Sequence, residues 1–316
     1  MPPGLARIMN RCEILPHLRV DKKPTHLTLD TRNLPPMHLG IFTKTFPRST
    51  LEENLDAVVA SGLLSVQYNL VCAGLPSLPD AVDPAVAKHI QAAVFERGIT
   101  MTAVSGTFNI IDQDKEELAR NMTRLDVLAG SCRSIGTSVI TLCTGTRDPE
   151  NMWRHHPENT TSEAWLGMCR SMEKVAEIAE RHSVDVGIEP EMNNVVSDAR
   201  KARQVMDEIG SPRIKVILDG ANLITAENNH RMEDVFKEAM DLLGADIVMS
   251  HAKDVIVEGS EVRHVAPGTG QLDYEAYIDV LSRAPIQAPL ILHGLDEEQV
   301  PDAVAMIRKQ MKEGSG

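Results

Sequence analysis

The chain has no Cys-x-x-Cys pair, no cluster of lysines and arginines, no apolar stretch approaching a bilayer span and no repeated or low-complexity segment. Each absence removes a class of function. The five cysteines, Cys12, Cys72, Cys132, Cys143 and Cys169, are odd in number and unpaired in spacing. That argues against a disulfide framework and a thiolate zinc site, and it fits a reducing, cytoplasmic setting. Acidic side chains outnumber basic ones 45 to 32, a net charge of -13, which repels a phosphate backbone and argues against nucleic acid as a partner. The apolar runs fall short of the roughly 20 residues that cross a membrane, and the first residues lack the unbroken apolar core of a secretion signal. A soluble protein with no membrane partner is expected.

What is present is enough for one large core: 316 residues, 42% of them hydrophobic, a size that α/β barrels reach as a single domain. Residues 1–36 stand apart, rich in Pro, Arg and Lys, without helical or strand period, and closing on Asn33-Leu34-Pro35-Pro36. They read as an irregular extension outside the fold. Met37 opens the first clear strand, so a natural start there is expected, with the upstream segment a tail or a start-site artefact. An intact mass that includes residue 1 in the natively expressed protein would refute this.

From residue 37 to residue 316, short apolar runs alternate with longer amphipathic ones, the pattern of repeated βα units around a parallel sheet. Strands are predicted at 38–44, 64–69, 100–105, 138–144, 185–191, 214–219, 247–252 and 289–293, with helices between them. Eight units make the fold class α/β, a (β/α)8 TIM barrel. The first helix opens on Ser49-Thr50-Leu51-Glu52-Glu53, a capping-box arrangement, and stops at Gly62. The helix before the fifth strand carries Trp165, Met168, Cys169, Met172, Val175, Ala176 and Ala179 at helical spacing, a stripe that reads as core. The last helix, Gln299 to Lys312, closes the ring through Val300, Val304, Ile307 and Met311.

Four late runs end on metal-friendly side chains: Glu189, Asp219, His251 and His293. Strand side chains alternate between faces, so Glu189 shares a face with Gly187 and Glu191, His251 with Met249 and Lys253, and His293 with Ile291. In a parallel barrel these heads converge at the rim of the strands' C-terminal ends, where barrel enzymes keep their chemistry. Two oxygens and two nitrogens suit Mn, Zn, Fe or Co better than Ca, with Mg also admissible. Burying this much charge without a cation costs several kcal/mol.

The motifs Ile188-Glu189-Pro190-Glu191 with Asn193-Asn194, Leu218-Asp219-Gly220-Ala221-Asn222-Leu223, His251-Ala252-Lys253-Asp254 and Pro267-Gly268-Thr269-Gly270-Gln271-Leu272-Asp273-Tyr274 resemble those of the xylose isomerase-like barrel superfamily, the sugar phosphate isomerases and epimerases. The resemblance implies that Glu189, Asp219 and His251 bind a divalent metal. On the last strand, where the family usually places a second glutamate, this chain has His293. The exchange shifts weight from two-base epimerisation toward one-base isomerisation or elimination, and leaves His293 as a metal ligand or a base.

Glu189, Glu191 and Lys253 are the candidate catalytic residues, Lys253 as a cation that holds an oxyanion at the same mouth. Lys44, Tyr68, Asn69, Ser105, Thr107, Thr144, Arg147 and Asn222 are expected to shape a pocket for a polyhydroxylated ligand. The segment 147–156 carries Trp153, one of only two tryptophans, and reads either as a lid that stacks a sugar ring or as a solvated connection with Trp153 packed inward. Pro267-Gly268-Thr269-Gly270 lacks the Walker lysine and a dinucleotide fingerprint, so it reads as a tight turn. His264, just before it, faces either the site or solvent.

The function expected is a divalent-metal-dependent isomerase or epimerase acting on a sugar, keto-sugar or related polyol through enediolate-like proton abstraction. The alternatives are a metal-dependent lyase on a keto-sugar, a phosphodiesterase of the endonuclease IV type, and a non-catalytic sugar-binding barrel. The partner expected is a small sugar or polyol, and association into a homo-oligomer is compatible with the fold.

Overall fold

A computed structural model describes residues 37–285 and 288–313; the extension expected at residues 1–36 lies outside them. Eight strands form a closed parallel barrel: β1 Leu39–Phe42, β2 Ser65–Tyr68, β3 Thr100–Ser105, β4 Val139–Cys143, β5 Asp185–Glu189, β6 Ile214–Asp219, β7 Ile247–Ala252 and, after an inserted hairpin, β10 Leu290–Leu292, which pairs with β7 and β1. The hairpin strands, β8 Asp254–Glu258 and β9 Glu261–Val265, pair antiparallel beside the ring. The helices that follow the strands are α1 Leu51–Ala60, α2 Pro84–Glu96, α3 Lys115–Ile135, α4 Ser162–His182, α5 Ala199–Ile209, α6 Met232–Leu243, α7 Tyr274–Ser282 and α8 Val300–Glu313.

Local chemistry sets these bounds. The Thr50 side chain accepts the Glu53 N–H at the start of α1, and the chain leaves that helix through Gly62 at φ 75°. The apolar stripe of α4 is buried through Met168, Met172, Val175 and Ala179, while Trp165 lies over it and donates its indole N–H to Glu208 Oε2 at 2.9 Å. The fifth strand is shorter than predicted: it ends at Glu189 because Pro190 has no N–H to extend the ladder, and Glu191 then turns back to donate its N–H to Val196 O at 3.0 Å. The first strand also stops early, at Phe42, so Lys44 sits on a short 3-10 turn, Thr43–Thr45.

Two apolar layers result. The larger lies between the strands and the helix ring, and a small one plugs the barrel lumen with Ala103, Ile217, Met249 and Ile291, all fully buried. Gly187 makes room for this plug, since a Cβ there would stand 2.5 Å from Ile217 Cδ1. Above the plug the lumen turns polar, and the register sets Asp219 on β6 opposite His251 on β7.

Candidate active site and cation centre

The polar layer begins with three donor groups brought together from β5, β6 and β7. Ligand atoms of Glu189, Asp219 and His251 all lie within 4.8 Å of one another. Glu189 Oε1 is 3.2 Å from His251 Nδ1, and Asp219 Oδ2 is 3.7 Å from the same nitrogen. Two ligands about 2.1 Å from one ion and about 90–110° apart stand about 3.0–3.4 Å from each other, so the 3.2 Å separation fits a shared cation and the 3.7 Å one lies a few tenths of an ångström beyond that range. Asp219 is fully buried and held by its other oxygen, which accepts the N–H groups of Ala221 at 2.9 Å and Asn222 at 3.3 Å. Its Oδ2 has no hydrogen bond. That oxygen faces the Lys253 ammonium at 3.2 Å and His251 Nδ1 at 3.7 Å, an electropositive setting that offsets the cost of burying an anion, and two carboxylates and an imidazole form a donor set that could hold a metal ion.

Around this floor runs a polar ring. The Asn222 side-chain amide donates to Glu189 Oε1 at 2.7 Å and accepts from Lys253 Nζ at 2.5 Å, and Lys253 Nζ lies 3.2 Å from Asp219 Oδ2. On the outer side α7 ties the strand ends down: the Tyr277 hydroxyl faces the carbonyls of Leu218 at 2.9 Å and His251 at 3.1 Å, and the Tyr274 hydroxyl donates to Lys253 O at 2.9 Å. The electrostatics follow from burial and proximity. Burial disfavours charge on Glu189, yet His251 beside it keeps its carboxyl below the usual range; Lys253 and His251 do the same for Asp219 against the same penalty. Burial also pulls His251 down, but Glu189 and Asp219 outweigh it and raise it to about 9. Glu191, buried and near Glu189, is pushed up to about 7.

Above the ring opens a cavity of about 500 Å3, within the range of small-ligand sites. Glu189, Glu191, Lys253, Asn222 and His293 line it, together with Lys44, Asn69, Thr107 and Trp153. Trp153 is 51% exposed and faces this cavity, rather than packing inward.

Four expected site residues are placed otherwise. His293 stands outside the three-donor group. Its ring stacks between those of His251, at 4.6 Å, and Phe42, at 5.0 Å. Burial and the neighbouring His251 push it down to about 3, and its Nδ1 is buried without a partner. Tyr68 is fully buried in the layer beneath the helices, because the side chain that β2 sends into the lumen is its neighbour Gln67. Thr144 is also fully buried, its hydroxyl accepting the Val196 N–H at 3.1 Å. Arg147 lies off the cavity, 3.8 Å from Glu163.

The cavity lining also holds residues not assigned from sequence, among them Gln67, Phe42, Ser77 and Thr141. Gln67 reaches His251, and the strand alternation that points Tyr68 outward is the signal that would have found it. His264, on the hairpin, settles toward the cavity with its Nε2 buried and unpartnered. The glycine-rich turn is a turn, but one wrapped round an anion of its own. The Asp254 carboxylate accepts N–H groups from Val255 and Leu272 at 2.8 Å, Gly268 at 2.9 Å and Gly270 at 3.0 Å.

A family profile described as xylose isomerase-like TIM barrel matches residues 55–310. No curated protein matches the sequence. Among solved structures, the chain is similar to the apo form of the 3-keto-D-glucoside 4-epimerase YcjR from E. coli, at 17% identity and a TM-score of 0.66, over 86% of this chain and 99% of that one. It is similar to an L-ribulose 3-epimerase at 17% identity and 0.65, over 88% and 96%, and to the IOLI protein with a binding zinc atom at 15% and 0.65, over 88% and 98%.

Proposed function

The chain belongs to the xylose isomerase-like TIM barrel family, and from that premise we propose that it is a divalent-metal-dependent enzyme that moves a proton on a sugar, keto-sugar or related polyol. The observation that carries this reading is the convergence of Glu189, Asp219 and His251 under a cavity of sugar size, with Glu191 and Lys253 on its wall. Mn, Zn, Fe or Co is the cation proposed for the three, with Mg admissible. When bound, such a cation polarises a carbonyl and its neighbouring hydroxyl and makes the adjacent C–H more acidic.

The chain's own residues supply the rest. The two carboxylates neutralise a dication, which leaves Lys253 as the net positive charge, the right sign for an oxygen that becomes anionic. Asn222 holds the Lys253 ammonium in place. Glu191, a buried carboxylate on the cavity wall two residues beyond Glu189, is the group proposed to accept a proton from carbon and return it. Trp153 offers a face on which a sugar ring stacks, and Asn69 and Thr107 offer hydrogen bonds to its hydroxyls.

His293 favours a second reading within the same chemistry. Neutral at working pH, it accepts or donates a hydrogen bond where a two-base epimerase needs a second carboxylate, so isomerisation or elimination from a single base is the narrower form of the proposal. The test is solvent deuterium exchange into a panel of ketoses, aldoses and keto-glycosides, with divalent metal stripped and restored. Exchange should stop and return with the metal. Exchange that persists in verified metal-free protein would defeat the mechanism, and an endonuclease IV type reading would be revived by cleavage of abasic-site DNA.

A further inference from the structure

His251 has two ring nitrogens, and the fold gives each one a different neighbour. Nδ1 faces the carboxylates of Glu189 and Asp219, at 3.2 and 3.7 Å. Nε2 lies 2.7 Å from Gln67 Oε1. Gln67 comes from β2, on the other side of the ring, and is 3% exposed; its amide nitrogen donates to Ser105 Oγ at 3.0 Å and Thr141 Oγ1 at 3.4 Å. With the NH2 group committed to β3 and β4, the carbonyl oxygen is left to face β7.

An imidazole that ligates a cation through Nδ1 must carry its hydrogen on Nε2, and a buried N–H needs an acceptor. An amide carbonyl is an acceptor that cannot take the proton away. We propose that Gln67 is the positioning residue of the cation centre: it accepts the Nε2–H of His251, selects the tautomer whose Nδ1 lone pair faces Glu189 and Asp219, and disfavours the ring flip that would put carbons Cδ2 and Cε1 where the two nitrogens now lie. The inference rests on the reading of Glu189, Asp219 and His251 as cation ligands, and adds a residue from the far side of the barrel to that centre. Through Gln67, Ser105 and Thr141, three strands that contribute no ligand brace the one imidazole that does.

The test uses the full chain with zinc as the probe. Zinc affinity is measured by competition with a chromophoric chelator for the wild type, Gln67→Met, which keeps the volume and removes the acceptor, and Gln67→Glu, which keeps the acceptor while Ser105 and Thr141 rotate their hydroxyls to donate to it. Loss of an outer partner of a ligating histidine weakens metal binding about 10–100-fold. That loss is expected for Gln67→Met, with Gln67→Glu close to the wild type. Nitrogen-15 imidazole spectra of the zinc-loaded wild type should show a protonated Nε2 on His251 and zinc on Nδ1, a signature that a purely structural Gln67 would not set and that does not depend on any variant folding. Equal zinc affinity in the wild type and Gln67→Met, or zinc on Nε2, would overturn the inference while leaving the centre intact. A wild type that binds no zinc, manganese or cobalt would instead overturn the reading beneath it.

Discussion

His251 carries the pH dependence of the site. Its ring is raised from the ordinary histidine range to about 9 because two carboxylates outweigh its burial. The protonated ring therefore stabilises the metal-free fold fully below about 6.5, and that contribution is lost as pH rises through about 9. A cation needs the same ring neutral. Its affinity is expected to climb with pH between about 6.5 and 9, by up to about tenfold per unit, with close to one proton released per ion at pH 7.5. Calorimetry in two buffers of different ionisation enthalpy measures that proton, and a flat affinity across the window would contradict the assignment. At this scale the three donors that converge from β5, β6 and β7 were legible because each lies at or next to the C-terminal end of a largely apolar strand. His293 read equally well and stands outside the group, since sequence gives a residue's face and height but not the stacking of its ring on His251 and Phe42. Tyr68 was chosen over Gln67 because its hydroxyl suits a polyhydroxylated ligand, and here the side chain fills the layer under the helices.

Among the elements, the hairpin of β8 and β9 was the one missed. Its signal was in the chain: Val255, Val257, Val262 and Val265 flank the two-residue turn Gly259-Ser260, a hairpin pattern that a strict βα alternation passes over. The hairpin bears on the cavity because it carries His264, and the turn that follows it is held by Asp254. Four backbone N–H groups converge on that buried carboxylate. Asp254→Ala would leave them without an acceptor, each unsatisfied buried donor costing about 1–3 kcal/mol where water cannot reach it. The expected outcome is faster hydrogen exchange at Gly268, Gly270 and Leu272 with the barrel strands still protected. Unchanged exchange at these three amides would show that the loop holds its shape without the carboxylate.

For the molecule as a whole, closure of the ring was the most legible property. The strands at 100–105, 214–219 and 247–252 fall where the apolar runs place them, while those at the first, fifth and last positions are trimmed by a 3-10 turn, by Pro190 and by a loop. The lumen plug was not legible, because which inward side chains interdigitate depends on the barrel's stagger. It is tightly filled around Gly187. Gly187→Ala would set a methyl 2.5 Å from Ile217 Cδ1 and 2.8 Å from Cγ1, an overpacking that costs about 1–3 kcal/mol. Ile217→Val in the same chain should recover part of the loss, read as the shift in thermal midpoint of the single and double variants. Ala103, Ile217, Met249 and Ile291 also make the barrel a cul-de-sac. The Glu189, Asp219 and His251 group sits at its blind end and the sugar-sized space lies on top, lined in part by the half-exposed Trp153. On the proposed reading, traffic through such a dead end is last in, first out: the ion would have to arrive before the reactant, would be trapped beneath it during turnover, and would stay behind when the product leaves.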